Sequence, residues 1–262
     1  VRPIGLGLRS EMRDWNPADI DADFYEVAPE NWLRRDRTPL HRLRDSGCPI
    51  RMHGVSLNLG GTSTFRREFL HDLRELLDSL GVDHYSDHLA ASGDAHQLYD
   101  LFPVPFDEAE VIRVADRIRD VQNALGRRIG IENTTFYTNV GPVPEAEFIS
   151  RVAERADCHI LLDINNIHVN QKNHGGASIS EFLAAIDPAR VSYLHVAGHE
   201  FDERFGLYID THSRPVASEA ATAAGRWARM HGKDILLEWD NDIPDLATIN
   251  QELACLRVST IT

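Results

Sequence analysis

The chain has 262 residues, of which 42% are hydrophobic and 26% charged, with a formal net charge of −14. That length suits one large α/β domain, and the composition is that of a folded protein with a sizeable core, not a disordered segment. The acidic balance argues against a general nucleic-acid binder, which needs cationic surface to displace counterions from phosphates.

Taken in chain order, short apolar runs rich in β-branched and aromatic residues alternate with helical patterns. A strand is expected at 4–9, then a weak helical stretch at 11–20 broken by Pro17. Strands follow at 24–28 and 50–56, a loop at 57–64, and a helix at 65–80 with Phe65, Phe69, Leu73, Leu76, Leu77 and Leu80 on one stripe. A strand at 82–89 leads to a helix at 108–125, for which Gly126 is the stop signal. Next come a strand at 129–134, a loop at 135–143, and a helix at 144–156 opening on a proline and an acidic first turn. A strand at 160–166 precedes a loop at 167–178 and a short helix at 180–186. The last units are a strand at 191–198, a loop at 199–215, a helix at 216–231 stopped by Gly232, a strand at 235–240 and a helix at 244–256.

Eight buried-type strands alternating with helices, without a linker or composition shift, predict a single closed (β/α)8 barrel spanning 1–262. A doubly wound sheet usually carries a glycine-rich turn after its first strand, and no G-x-G-x-x-G occurs here. The long loops follow strand C-termini, the catalytic face of such barrels.

Three scattered cysteines, Cys48, Cys158 and Cys255, form neither a disulfide framework nor a zinc ribbon and suggest a reducing, cytoplasmic setting. No apolar run approaches the ~20 residues of a membrane span, and the N-terminal stretch lacks a signal-peptide pattern, so no membrane association is expected.

The chemistry-bearing residues sit where strands end. Strand three ends in His53, strand four in His88, strand five in Glu132 and strand six in Asp163, with Asn166 beyond. Strand seven carries His195, the following loop Asp210 and His212, and strand eight ends in Glu238 and Asp240. A lone His or Glu at such a position is usually packing or a cap; a series of them converging on one barrel mouth is not. Buried carboxylates need cationic partners, and no lysine sits at these ends, which points to divalent metals. Imidazole and carboxylate donors without cysteine suit iron, zinc or manganese. One grouping joins His53, His88 and Glu132, and a second joins Asp163, His195 and Glu238 with Glu132 bridging. A third joins Asp210 and His212 with Asn166 or His168. His84 is expected to point elsewhere, and His41, His71, His96, His159 and His231 read as surface residues.

The ordered motifs are EVAPEN at 26–31, HGVSLNLG at 53–60, SDHL at 86–89, IEN at 131–133, LLDINNIHV at 161–169, NHG at 173–175, HVAGH at 195–199, IDTH at 209–212 and EWD at 238–240. Together they resemble the multinuclear non-haem iron-dependent oxidative enzymes, a family that includes the methanobactin biosynthesis oxygenase. The resemblance spans nearly the whole chain. It implies a TIM barrel of the xylose isomerase kind with two or three iron ions and dioxygen as co-substrate. It further implies oxidative modification of a ribosomally made precursor peptide, commonly at a cysteine, and a small partner protein that recognises the peptide leader. The metal ligands it implies are His53, His88, Glu132, Asp163, His195, Asp210, His212 and Glu238, with Asn166 as a neutral ligand. Asp240, Glu132 and Asp163 are the expected catalytic carboxylates, with Asp240 moving protons. Phe136, Tyr137 and Phe205, in two of the long loops, are candidate peptide contacts.

The competing readings are a zinc hydrolase resembling abasic-site endonucleases and a two-metal sugar isomerase. The acidic charge counts against the first. The isomerase usually employs a lysine near its metals, and none lies at the strand ends. A metal-binding protein without catalysis is a third reading.

Overall fold

In the computed structural model, which describes residues 2–93 and 101–261, eight parallel strands close into a barrel. They are β1 (Ile4–Gly7), β2 (Phe24–Val27), β3 (Ile50–Gly54), β4 (Tyr85–His88), β5 (Gly130–Glu132), β6 (His159–Asp163), β7 (Val191–Val196) and β8 (Ile235–Leu237). Each pairs with the strand before it, and β8 closes on β1 with Leu237 beside Leu6. The fold is the expected TIM barrel. Every strand is shorter than its apolar stretch; most lose residues at the C-terminal end, which turn into the loops there, whereas β4 loses 82–84 at its start.

Burial on both faces explains the continuous apolar runs. Phe24, Leu161, Tyr193 and Leu236 fill the lumen, while a larger core lies between the strands and the surrounding helices. Helices α1 (Thr38–Asp45), α2 (Arg67–Leu80), α3 (Glu108–Leu125), α4 (Glu145–Ala156), α5 (Ile164–His174), α6 (Ile179–Ala184), α7 (Ser218–His231) and α8 (Leu246–Ser259) surround the barrel. In α2, Leu70, Leu73, Leu76, Leu77 and Leu80 are buried, as an amphipathic stripe requires. The Asp107 side chain caps α3 by accepting from Glu110 N, and Gly126 and Gly232 end α3 and α7 in the left-handed region.

Three expectations are corrected. The stretch 11–20 forms no α-helix; it holds two 3-10 turns, Ser10–Met12 and Pro17–Asp19, the second starting at Pro17. The loop expected at 167–178 is largely α5, and Asn166 lies in its first turn instead of ending a strand. Here Asp163 caps the helix by accepting from Asn166 N at 2.8 Å. His159 opens β6 instead of lying in a connection. With His84 it lines a separate cavity of about 250 Å³, whose other walls include Arg127 and Arg128. α1 had no counterpart in the sequence reading, since only Leu40 and Leu43 of its eight residues are buried.

Two antiparallel hairpins decorate the C-terminal loops, Ala90–Ala91 with Phe102–Pro103 and Glu200–Asp202 with Leu207–Ile209. The loop at 57–64 is tied down by α3: Arg113 donates to the carbonyls of Gly60 and Gly61, and Arg117 to those of Asn58, Leu59 and Ser63. His96 lies outside the described residues. Among those residues no helix is long and apolar enough to cross a membrane.

Candidate metal centre

Strand register brings the first donors together. In the parallel ladder His88 lies beside Glu132, and Asp163 beside His195. His53 Nε2 is 3.0 Å and His88 Nε2 3.1 Å from Glu132 Oε2, and the two nitrogens are 3.4 Å apart. His53 Nδ1 meets Ser86 Oγ at 2.9 Å; a proton on that nitrogen leaves the Nε2 lone pair facing Glu132. The second grouping is equally compact. Ligand atoms of Glu132, Asp163, His195 and Glu238 all lie within 4.8 Å of one another, and all four residues are buried. His195 Nδ1 is 3.1 Å from Glu132 Oε1 and 3.2 Å from Glu238 Oε2. Glu132 therefore offers one oxygen to each grouping.

The third grouping sits nearer solvent, and the compact set that forms around His212 is with Glu238 and Asp240 instead of the expected Asn166 or His168. His212 Nε2 is 2.8 Å from Asp210 Oδ1, and its Nδ1 is 3.1 Å from Asp240 Oδ2. His212 adopts φ +47°, a left-handed conformation that costs a non-glycine residue of order 1–3 kcal/mol. The bonds from Asp240 N and Asn241 N to its carbonyl, at 2.8 and 3.3 Å, hold it there. Gly198 makes room for the returning chain, since a Cβ there would lie 1.9 Å from the Arg214 carbonyl oxygen. His168 does not join this group; its Nε2 faces Glu219 at 3.5 Å and its ring packs on His199.

Asp210 is reached from behind by a chain of polar contacts. Asn165 Nδ2 donates to Asp210 Oδ1 at 2.5 Å, while its Oδ1 meets His199 Nδ1 at 2.7 Å. His199 Nε2 lies 2.8 Å from Lys172 Nζ. The ammonium can only donate, so the His199 proton sits on Nδ1. Burial, then the Lys172 charge, pulls the imidazole down to about 4, which keeps it neutral.

Sequence reasoning missed two residues. Arg9, just past β1, is the cation of the mouth, donating to Asp240 Oδ1 at 2.5 Å and to Glu238 Oε1 at 2.7 Å. Glu26, inside β2, is 1% exposed and accepts from His195 Nε2 at 3.0 Å. Arg9 ended the first apolar strand run and Glu26 stood inside the second, at the head of the EVAPEN motif; a charge in such a place is the signal.

The donor set fits divalent cations. Among the described residues, the buried atoms Glu26 Oε1, His88 Nδ1, Glu132 Oε2, Asp163 Oδ2, Asn166 Oδ1 and His212 Nε2 have no hydrogen-bond partner. Glu132 Oε2 and His212 Nε2 lie close to other donors yet outside hydrogen-bond geometry, as lone pairs aimed at a shared point would. Among the described residues six carboxylates, Glu26, Glu132, Asp163, Asp210, Glu238 and Asp240, face the Arg9 guanidinium, and two or three divalent ions would bring that set near neutrality. Protons fill part of that role otherwise. Burial works against a charged His53, but Glu132 outweighs it and raises the imidazole to about 9. Burial and then Glu132 push Asp163 up to about 8. Burial also opposes ionisation of Glu132, yet His53 and His88 hold it below the usual carboxylate range.

These groups form the floor of a cavity of about 810 Å³, walled by Val55, Phe102, Pro103, Phe136, Tyr137 and Ile209 among others. Phe136 stacks on His174, and the Tyr137 hydroxyl accepts from Asp210 N at 3.1 Å. Phe205 stands apart from this wall, 67% exposed on the turn between the hairpin strands.

A parallel barrel with an imidazole–carboxylate floor at the C-terminal ends of its strands defines a TIM-barrel enzyme with a candidate metal centre. Residues 3–260 match the family of RiPP precursor modification enzymes MbnB/TglH/ChrH, which act on ribosomally synthesised peptides, and the chain belongs to that family. It is 38% identical over 269 residues to a UPF0276 protein of Alcanivorax borkumensis, covering 97% of this chain and 89% of that one. A UPF0276 protein of Acinetobacter baylyi is 40% identical, with 97% and 90% covered. Among solved structures, a D-psicose 3-epimerase from Clostridium cellulolyticum superposes with a TM-score of 0.66 at 12% identity, covering 99% of this chain and 98% of that one. A xylose isomerase domain containing protein from Salmonella typhimurium gives 0.69 at 10% identity, with 99% and 97% covered. These structural likenesses concern the fold alone.

Proposed function

We propose that the chain holds two or three iron ions at the barrel mouth and, with dioxygen, oxidatively modifies a cysteine of a precursor peptide. The observation that carries this reading is the meeting of His53, His88, Glu132, Asp163, His195 and Glu238 in two compact groups that share Glu132, with Glu132 Oε2 and Asp163 Oδ2 buried and unpartnered. Membership of a peptide-modifying family supports the substrate class. The expected ligands are His53, His88 and Glu132 for one ion and Asp163, His195 and Glu238 for a second, with Glu132 between. Asp210, His212 and Asn166 would hold a third. Bound iron would supply the one-electron chemistry that reaction with dioxygen requires.

The chain's own groups do the rest. Asp163 divides its labour, Oδ1 capping α5 and Oδ2 left free for the centre. Asp240 accepts the His212 Nδ1 proton and orients that ring. Its side chain is 33% exposed, so it is also the carboxylate through which a proton can pass to the cavity. Arg9 fixes Asp240 and Glu238 in place. Phe136 and Tyr137 are proposed to grip the peptide and exclude water, and Phe205 to contact it outside the cavity. A small partner protein that recognises the leader, and a cytoplasmic setting suited to the free cysteines, complete the reading.

Anaerobic reconstitution with ferrous iron, metal analysis and oxygen uptake with a cysteine-bearing peptide test it. Two or three irons per chain and peptide-dependent oxygen consumption are expected. Iron-free protein that cleaves abasic DNA when given zinc would replace this reading with the hydrolase.

A further inference from the structure

We infer that Glu26 and Tyr193 are positioning residues that make His195 face the metal centre through Nδ1. The inference rests on the metal reading above and adds which nitrogen is used and what enforces the choice. His195 is wholly buried, with carboxylates on both sides of its ring. Nδ1 faces Glu132 and Glu238 at 3.1 and 3.2 Å, and Nε2 faces Glu26 at 3.0 Å. A neutral imidazole has one proton and one lone pair, so one side must donate. Glu132 and Glu238 border the proposed ions, and Glu26 is the carboxylate left to accept. Its Oε2 takes both the His195 Nε2 proton and the Tyr193 hydroxyl.

The arrangement is built into two strands. Tyr193 and His195 are two apart on β7 and so share its lumen face, and Glu26 reaches both from β2 across the barrel. The Arg51 guanidinium lies 4.4 Å from the Tyr193 ring centroid and 3.9 Å from that of Phe24, fixing the tyrosine from below. Two donors converging on one oxygen hold Glu26 to a single orientation. His212 Nδ1 is likewise engaged by a carboxylate, Asp240, at 3.1 Å, with Glu238 Oε2 at 3.4 Å beside it, while His53 Nδ1 meets the Ser86 hydroxyl.

The test uses the zinc-loaded full chain, which is diamagnetic, with 15N-labelled histidine. In the wild type, the His195 Nδ1 shift should be that of a metal-bound nitrogen, with a slowly exchanging proton on Nε2. Chelator competition should show zinc held about 10–100-fold more weakly in Glu26→Ala and about fivefold more weakly in Tyr193→Phe, with the same number of ions at saturation. Glu26→Gln, with a smaller loss, replaces Glu26→Ala if the latter does not fold. Metal on Nε2 overturns the inference. So does unchanged zinc affinity in the Glu26 variants, and so does loss of one whole ion at saturation, which would make Glu26 a ligand. Folded wild type that takes up no zinc or iron sinks the metal reading itself, a separate result.

Discussion

Replacing Arg9 with Gln removes the cation that the fold itself places among the carboxylates. Its guanidinium contacts Glu238, whose side chain is 7% exposed, and Asp240, whose side chain is 33% exposed. Removing one partner of a buried ion pair costs about 3–5 kcal/mol, whereas an exposed pair is worth about 0–1 kcal/mol. Water screens the Asp240 half, so most of the loss falls on Glu238, and about 2–3 kcal/mol is expected in the metal-free protein. In a chain of this size each kcal/mol moves Tm by about 2–4 °C, so the midpoint should drop by about 4–12 °C. Divalent metal should shrink the deficit, because an ion beside Glu238 supplies the charge that Arg9 no longer does. Thermal unfolding followed by circular dichroism, in chelator and in excess zinc, measures both effects. Equal midpoints in chelator would refute the electrostatic role of Arg9. A deficit that zinc leaves unchanged would refute the placement of an ion beside Glu238.

Further expectations concern the ligands and their supports. Glu132→Gln should cost more bound metal than any other single ligand change, because both compact groups use it; elemental analysis of the reconstituted variants ranks them. Asn165→Ala removes the bond to Asp210, worth about 1.5–3 kcal/mol for a charged acceptor, and should weaken only the loosest ion, by about 10–150-fold in chelator titrations. Chelation of the loaded wild type should lower Tm, since an ion present at a hundredfold its Kd contributes about 2.7 kcal/mol; a midpoint indifferent to chelator argues against specific binding. Burial raises Glu145 to about 8, against only a bond from Asn170. The unfolded chain releases this proton near the ordinary glutamate value and the folded chain retains it. Stability at this site is therefore greatest at low pH and declines as pH climbs from about 4.5 to about 8. Glu145→Gln should flatten that part of a urea-denaturation pH profile.

The barrel was legible because parallel strands buried on both faces leave β-branched runs that no exposed segment produces. The donors were legible because imidazoles and carboxylates ended those runs one after another. α5 was not, for a physical reason: Ile164 to Asn170 are all buried, yet asparagines alternate with apolar side chains and no stripe forms. Asn is a poor helix former, and here the amides serve as bonds to neighbouring loops. Arg9 escaped because its partners lie more than 220 positions away, at the other end of the chain. Glu26 escaped because it sits within a strand, aimed down the lumen, where no terminal position flags it.

The asparagines of α5 have a mechanical consequence. Asn170 holds Thr134 and Phe136 on one lip of the cavity, and Asn173 clasps both backbone groups of Tyr208 on the other. One helix thus anchors both lips of the cavity, so any displacement of α5 would carry the two together.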